Sequence, residues 1–184
     1  MREVIVIGDG PGGLSAALFL AKNNIDVAVY GQDKTAMNFA LLKNYLGMRE
    51  ILGSDFQKVA RKQVEDAGGK IFAKRIESVA ATEAGYEVSV EGGETVTAAI
   101  LILSEGKGPR LAKSLGLEHD ETTGIEADRN CLTKLANVYV VGRSLRPGRS
   151  QAIISAGDGA AAAIDILSRK AGENVCDWDS PPEE

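Results

Sequence analysis

Three glycines carry the clearest chemistry in this chain. Gly8, Gly10 and Gly13 stand in Ile7-Gly8-Asp9-Gly10-Pro11-Gly12-Gly13, the spacing G-x-G-x-x-G. The context is the one that spacing needs. Val4-Ile5-Val6-Ile7 runs into it as a continuous apolar strand, of the kind covered on both faces. Leu14, Ala17, Leu18 and Ala21 follow at helical spacing, Asn23-Asn24 ends that helix, and Ile25 to Tyr30 is a second strand. Strand, turn, helix and strand form one right-handed βαβ unit. Gly8 permits the tight turn, Gly10 lets a diphosphate approach the backbone, and Gly13 lets helix and strand pack closely. The free N–H groups at the helix start then face the phosphate charge. No Gly-Lys-Ser/Thr follows, so the turn is not a P-loop.

A dinucleotide fold ordinarily ends its second strand on an acid that binds the adenosine ribose. Here that end reads Tyr30-Gly31-Gln32, without one. Asp33 comes two residues late, so either it reaches back or backbone groups hold the ribose. No arginine marks the spot for a 2′-phosphate.

Other chemistries find few residues. The chain has 2 cysteines and 1 histidine. Cys131 and Cys176 form no Cys-x-x-Cys pair, and there are too few soft ligands for a zinc site. They read as an apolar packer and an idle tail residue. His119, in the polar stretch Leu117 to Glu121, reads as solvated and idle. No side chain stands out as an acid or base, so no catalytic residue is named. Arg143, Arg146 and Arg149 make a basic turn. It reads either as a solvated loop or as a place for a phosphate, an anionic substrate or a partner, and the sequence does not choose.

The 184 residues, 44% hydrophobic and 26% charged, suit a single domain. With 21 basic and 26 acidic residues, a net charge of -5 and 5% aromatics, a nucleic-acid surface is not expected. No apolar run reaches the roughly 18 residues of a membrane span. Met1-Arg2-Glu3 leads into a strand rather than a leader, so the expectation is cytoplasmic. Further along, Ser54-Asp55-Phe56-Gln57 reads as a capping box opening a helix with Phe56, Val59, Ala60, Val64 and Ala67 on one face, stopped by Gly68-Gly69. Replacing Ser54 by alanine would then cost about 1 kcal/mol. Lys70 to Val79 reads as one strand. Tyr86, Val88 and Val90 alternate with polar residues, Gly92-Gly93 turns, and Thr95 to Leu103 returns to a buried run: a small antiparallel excursion from a parallel sheet. Residues 104–133 are polar and weakly patterned, and 137–142 is a buried strand. Gln151 to Ala171 is the longest helix, with Gly172 beyond its end. Gly157 and Gly159 inside it argue for close packing on the first βαβ unit. The tail, 173–184, reads as loose and acidic.

Four segments carry a family resemblance. They are Val4 to Gly13 with Ala16-Ala17 behind; Lys43-Asn44-Tyr45-Leu46-Gly47 with Gly53 and the helix to Gly69; Gly124-Ile125-Glu126-Ala127-Asp128 with Thr133 and Val138 to Gly142; and Gln151-Ala152-Ile153-Ile154-Ser155-Ala156-Gly157-Asp158-Gly159. Spanning residues 2–170 in order, they resemble the flavin domain of the thioredoxin reductase-like, two-dinucleotide-domain flavoproteins. The resemblance implies an α/β, Rossmann-like FAD-binding domain with a central parallel sheet. Its two halves, about 1–105 and 124–172, are joined by a short linker. It implies FAD at Gly8, Gly10, Pro11, Gly12 and Gly13, with Tyr30, Gly31 and Asp33 on the ribose side and Asn44 nearby. Gly142, Arg143, Gln151 and Ala152 would flank the ribityl chain and the isoalloxazine. A helix N-terminus at Gln151 and Ala152 suits the charge a reduced flavin gains.

Three departures follow. Residues 106–123 are too short for the family's inserted nicotinamide domain. The Cys-x-x-Cys of that insert is missing. The family's Gly-Asp is Gly142-Arg143, and arginine donates but cannot accept from ribityl hydroxyls. The implied function is an FAD-dependent oxidoreductase of the pyridine nucleotide-disulfide, thioredoxin reductase-like type, its flavin reduced by NAD(P)H or a docked redox partner. Direct thioredoxin reductase activity is not expected of this chain. A non-catalytic FAD-binding module or subunit is the alternative, and a homodimer is an option for shielding the open flavin face.

Overall fold

The computed structural model describes residues 1–181. In chain order the strands and helices are β1 (Arg2–Ile7), α1 (Pro11–Lys22), β2 (Val27–Tyr30), β3 (Leu41–Leu42), β4 (Ile51–Leu52), α2 (Gly53–Asp66), β5 (Lys70–Phe72), β6 (Ile76–Thr82), β7 (Gly85–Val90), β8 (Glu94–Leu103), α3 (Arg110–Ser114), β9 (Val138–Val140) and α4 (Ala152–Ala171). Short 3-10 turns at Ala36–Phe39, Gly142–Ser144 and Pro147–Arg149 fill the gaps.

The apolar run of β1 lies at the centre because both its edges are taken. Val4 pairs with Val27 of β2 on one side and with Ile100 of β8 on the other, both parallel. β5 adds a further parallel strand beyond β2. β8 is long enough to serve two neighbours on its second edge. Its first half pairs antiparallel with β7, and its last residues pair parallel with β9. β6 closes the antiparallel edge against β7. The fold is thus the expected α/β one: a parallel sheet with an antiparallel excursion. One buried cluster runs from Val4 and Leu101 through Ala16 to Ala163 and Ile166, so both halves of the sequence share a core.

Several local expectations are corrected. Lys70 to Val79 is two strands. Phe72 stacks on Tyr30 with ring centroids 5.1 Å apart, and its carbonyl accepts from Gly31 N–H. Lys74 then pairs with Glu94, and the chain crosses to the far edge of the sheet. The capping box does not form. α2 begins at Gly53 with Leu52 at the cap position and no side-chain cap. Gln57, 1% exposed, instead donates through Nε2 to the carbonyl of Asp9 at 2.8 Å. Val64 is fully buried and Phe56, Ala60 and Ala67 pack against the buried clusters, so the expected face of α2 is turned inward except at Val59, which points to solvent. Residues 104–133 contain α3, whose first turn is held by Glu105: its two oxygens accept from the N–H groups of Leu111 and Ala112, each at 2.8 Å. Val175 N–H donates to Ser168 Oγ, and Asp177 pairs with Lys22, so this part of the tail lies against α4 and α1. Residues 182–184 of the tail lie outside the described residues.

Candidate cofactor site

Gly8 leaves β1 with φ +103, and a Cβ on it would stand 2.1 Å from the carbonyl oxygen of Ser104 at the end of β8. Only glycine fits both the conformation and the approach. A Cβ on Gly13 would lie 2.1 Å from the carbonyl oxygen of Gly8. Gly10 is different: its Cβ would meet only Thr35 Oγ1, at 3.5 Å. The spacing therefore serves two ends. Gly8 and Gly13 let the turn close, and Gly10 keeps space in front of it.

Gly10 is also the cap residue of α1, and no side chain caps that helix. The same holds for α4, with Gln151 at its cap position. Both N-termini open on one cavity of about 630 Å³. They meet because α1 and α4 pack backbone to backbone. A Cβ on Gly159 would fall 2.1 Å from the Gly12 carbonyl oxygen and 2.9 Å from the Ala16 nitrogen. Gly157, credited above with the same role, has nothing within 4 Å of its Cβ position. Uncapped first turns leave N–H groups without intrahelical partners, and the aligned peptide dipoles place partial positive charge there.

Of the residues named from the sequence, Gly8, Gly10, Pro11, Gly12, Asn44, Gly142, Arg143, Gln151 and Ala152 line this cavity. Asn44 Nδ2 donates to Gln151 Oε1 at 3.0 Å across 107 positions of sequence. Gly13 lies behind the turn. Tyr30, Gly31 and Asp33 are not in the wall. Tyr30 is buried against Phe72, and Asp33 Oδ1 accepts from Asn38 Nδ2 at 3.3 Å.

The sequence reading missed Asp9. It is 5% exposed, lines the cavity, and its Oδ2 accepts from both Arg61 and the N–H of Asp33. The signal was present: an acid inside a turn built to hold an anion is out of place unless something neutralises it. Lys34 and Lys107 also line the cavity and add positive charge, as does Arg143. Glu105 stands in the same wall, and burial pushes its carboxyl above the ordinary range against the pull of the Leu111 and Ala112 amides.

The basic turn divides. Arg143 faces the cavity, and Arg149 lies apart from it. Arg146 is structural: its Nε donates to Asp158 Oδ1 at 2.9 Å, and Asp158 is buried in α4. Cys131 lies against the Asp158 carbonyl, and burial pushes its thiol up to about 12, so almost no thiolate exists near neutrality. Cys176 is exposed in the tail. His119 is half-buried rather than solvated, its Nδ1 is shielded without a hydrogen-bond partner, and it does not line the cavity. Among the described residues no group of His, Cys, Asp or Glu could hold a metal, and no helix is long and apolar enough to cross a membrane.

These features fit a dinucleotide such as FAD. Two uncapped helix starts can receive anionic or electron-rich groups, Gly10 keeps its front clear, and the volume lies in the range of cofactor sites. Comparison with known proteins agrees. The family model "Pyridine nucleotide-disulphide oxidoreductase" matches residues 2–50 and 46–159. A bifunctional thioredoxin reductase/thioredoxin of Mycobacterium leprae is 29% identical over 175 residues, 92% of this chain and 36% of that protein. A thioredoxin reductase of Pneumocystis carinii is 27% identical over 183 residues, 92% of this chain and 53% of its own. The chain thus spans about a third to a half of these relatives' length. A solved thioredoxin reductase from Gloeobacter violaceus shares the fold, with TM-score 0.85 and 16% identity, covering 97% of this chain and 99% of its own. The architecture is that of the FAD-binding fold of thioredoxin reductases, and the chain belongs to the pyridine nucleotide-disulphide oxidoreductase family.

Proposed function

We propose that this protein binds FAD in the cavity between α1 and α4 and acts as a flavin-dependent oxidoreductase. The observation that carries this is the convergence of two uncapped helix N-termini on one cavity. Gly10 and Gly12 would hold the diphosphate with main-chain amides. The α4 start at Gln151 and Ala152 would supply positive potential to the flavin's pyrimidine side, with Asn44 fixing Gln151. Arg143 would add charge where an acceptor is absent, so ribityl hydroxyls would bond to backbone carbonyls or water there. FAD, when bound, supplies the electron transfer that no side chain of this chain can perform. Neither cysteine suits dithiol chemistry: Cys131 is buried and protonated, and Cys176 lies in the tail. Two free thiols suit a reducing compartment, in line with the cytoplasmic expectation.

NAD(P)H or a docked redox protein would deliver the electrons. A specific feature favours a docked partner or a second copy of this chain. Phe39, Leu41, Leu46 and Leu52 are exposed apolar side chains on the segment around β3 and β4, and Leu41 is part of the cavity wall. Apolar side chains clustered in this way mark contact surfaces. The test is anaerobic reduction of the flavin-loaded protein, read as bleaching of the flavin band. Bleaching by NADPH or NADH at a useful rate assigns the donor. Flavin that stays oxidised with both, yet is reduced by an added electron-transfer protein, assigns a docked donor. Protein that takes up no FAD ends the proposal.

A further inference from the structure

We propose that Asp9 is the ribose-binding carboxylate of this site. It would reach from the glycine turn into the place where an acid at the end of β2 would otherwise stand, and accept hydrogen bonds from the 2′- and 3′-hydroxyls of an adenine nucleotide. The inference rests on the cavity being a dinucleotide site, though not on the flavin itself.

Four observations converge. First, the strand end is vacant of its own accord: position 31 is glycine. A Cβ placed there would meet Asp9 Cγ at 2.3 Å, Oδ1 at 2.5 Å and Cβ at 2.6 Å, and these are its three nearest neighbours. The Asp9 carboxylate thus occupies the volume that a side chain at position 31 would fill. Second, the nearby alternative is committed elsewhere, since Asp33 holds Asn38 by both its carbonyl and its carboxylate. Third, Asp9 is fixed from two sides by one helix. Gln57 binds its carbonyl, and Arg61, one turn later on α2, pairs with its Oδ2. Fourth, the bonding is lopsided. Oδ2 takes both Arg61 and the Asp33 N–H, whereas Oδ1 has no hydrogen-bond partner among the described residues, although the side chain is more than nine-tenths buried and part of the cavity wall. Oδ1 is thus the carboxylate oxygen left open to accept from a ligand in the cavity.

Arg61 resolves the conflict noted above. A bare carboxylate next to an anion-binding turn would repel the diphosphate. Paired with a guanidinium, it carries little net charge but keeps an oxygen free to accept. Asp9 is the acceptor, and Arg61 and Gln57 are positioning residues.

The test uses the full chain, cleared of co-purified nucleotide, titrated calorimetrically with ADP and with 2′,3′-dideoxy-ADP. A hydrogen bond to a charged acceptor predicts a preference for ADP of about 10- to 100-fold in the wild type. Asp9→Ala should reduce that ratio to near one. The double variant Asp9→Gly, Gly31→Glu moves the acid to the strand end, where the nearest obstacles have been removed, and should restore the preference. A purely structural Asp9 would change both affinities together and leave their ratio intact. A wild-type ratio near one, a ratio unaltered in Asp9→Ala, or a double variant without the preference overturns the proposal. FAD titration of the wild type runs alongside. Ribose discrimination without FAD uptake sinks the flavin reading alone, and FAD uptake without discrimination sinks this one alone.

Discussion

At the scale of single residues, glycines in the same motif do different physical work. Gly10 has room for a side chain, so Gly10→Val should leave the folded protein soluble with a nearly unchanged melting temperature while abolishing FAD retention. Normal flavin occupancy in that variant would remove the glycine turn from the account. Gly159 and Gly157 make a contrasting pair two positions apart on α4. Gly159→Ala forces a Cβ against the Gly12 carbonyl and should cost roughly 1–3 kcal/mol, as overpacking does. Gly157→Ala meets nothing and should stabilise by about 1 kcal/mol, a rise of roughly 2–4 °C in melting temperature. Thermal unfolding of the two variants checks both signs. The sequence named both glycines as packing positions, because composition records a missing side chain but not the direction it would have pointed. Asp9 went unread for a related reason: its partner Arg61 is 52 positions away, on another helix.

At the scale of elements, α2 shows how a tertiary contact overrides a local signature. Ser54 and Gln57 have capping-box spacing, yet the helix starts two residues early, with Leu52 at the cap position, and Gln57 turns inward to the Asp9 carbonyl. Ser54→Ala should therefore change stability by less than about 0.5 kcal/mol, the range of surface substitutions, instead of the 1 kcal/mol of a lost cap. A loss near 1 kcal/mol on chemical denaturation would restore the capping box. α3 is too short to announce itself by periodicity, and it exists because Glu105 receives its first amides. That carboxyl is buried and its pKa raised. A raised acid favours folding while protonated, so its contribution is full below the unfolded value and fades as pH rises through the folded one. The stability of wild type relative to Glu105→Gln should accordingly decline from about pH 4.5 upward. Denaturation midpoints across that range that rise together, or diverge the other way, would contradict it. β5 and β6 make the same point: the stretch from Lys70 to Val79 reads as one strand, but where it breaks is decided by which sheet edges remain unpaired.

At the scale of the whole molecule, the site exists only because two distant segments meet. The α1 start comes from the first 13 residues and the α4 start from residue 151, and Gly159 against Gly12 sets the distance between them. Ligand binding across this seam should stabilise both halves at once. FAD at 100 times its dissociation constant should add about 2.7 kcal/mol, raising the melting temperature by several degrees. No shift in a thermal titration with FAD would count against the cavity as its site. The apolar side chains exposed around β3 and β4 belong to this scale too, as the surface proposed above for a docked partner or a second copy.

What the sequence determined by itself is whatever depends on neighbours in the chain. The glycine spacing, the buried run of β1, the alternation of β7 and the span of α4 from Gln151 to Gly172 all follow from periodicity, conformation and end signals within a few residues. Together they were enough for the fold and for the glycine turn and the α4 start that flank the cavity. Only tertiary structure decided the partners of Asp9, Gln57 and Arg146, the unequal fates of Gly157 and Gly159, and the break after Phe72. Each of these is set by what another part of the chain places within a few ångströms, and that proximity has no period to be read from.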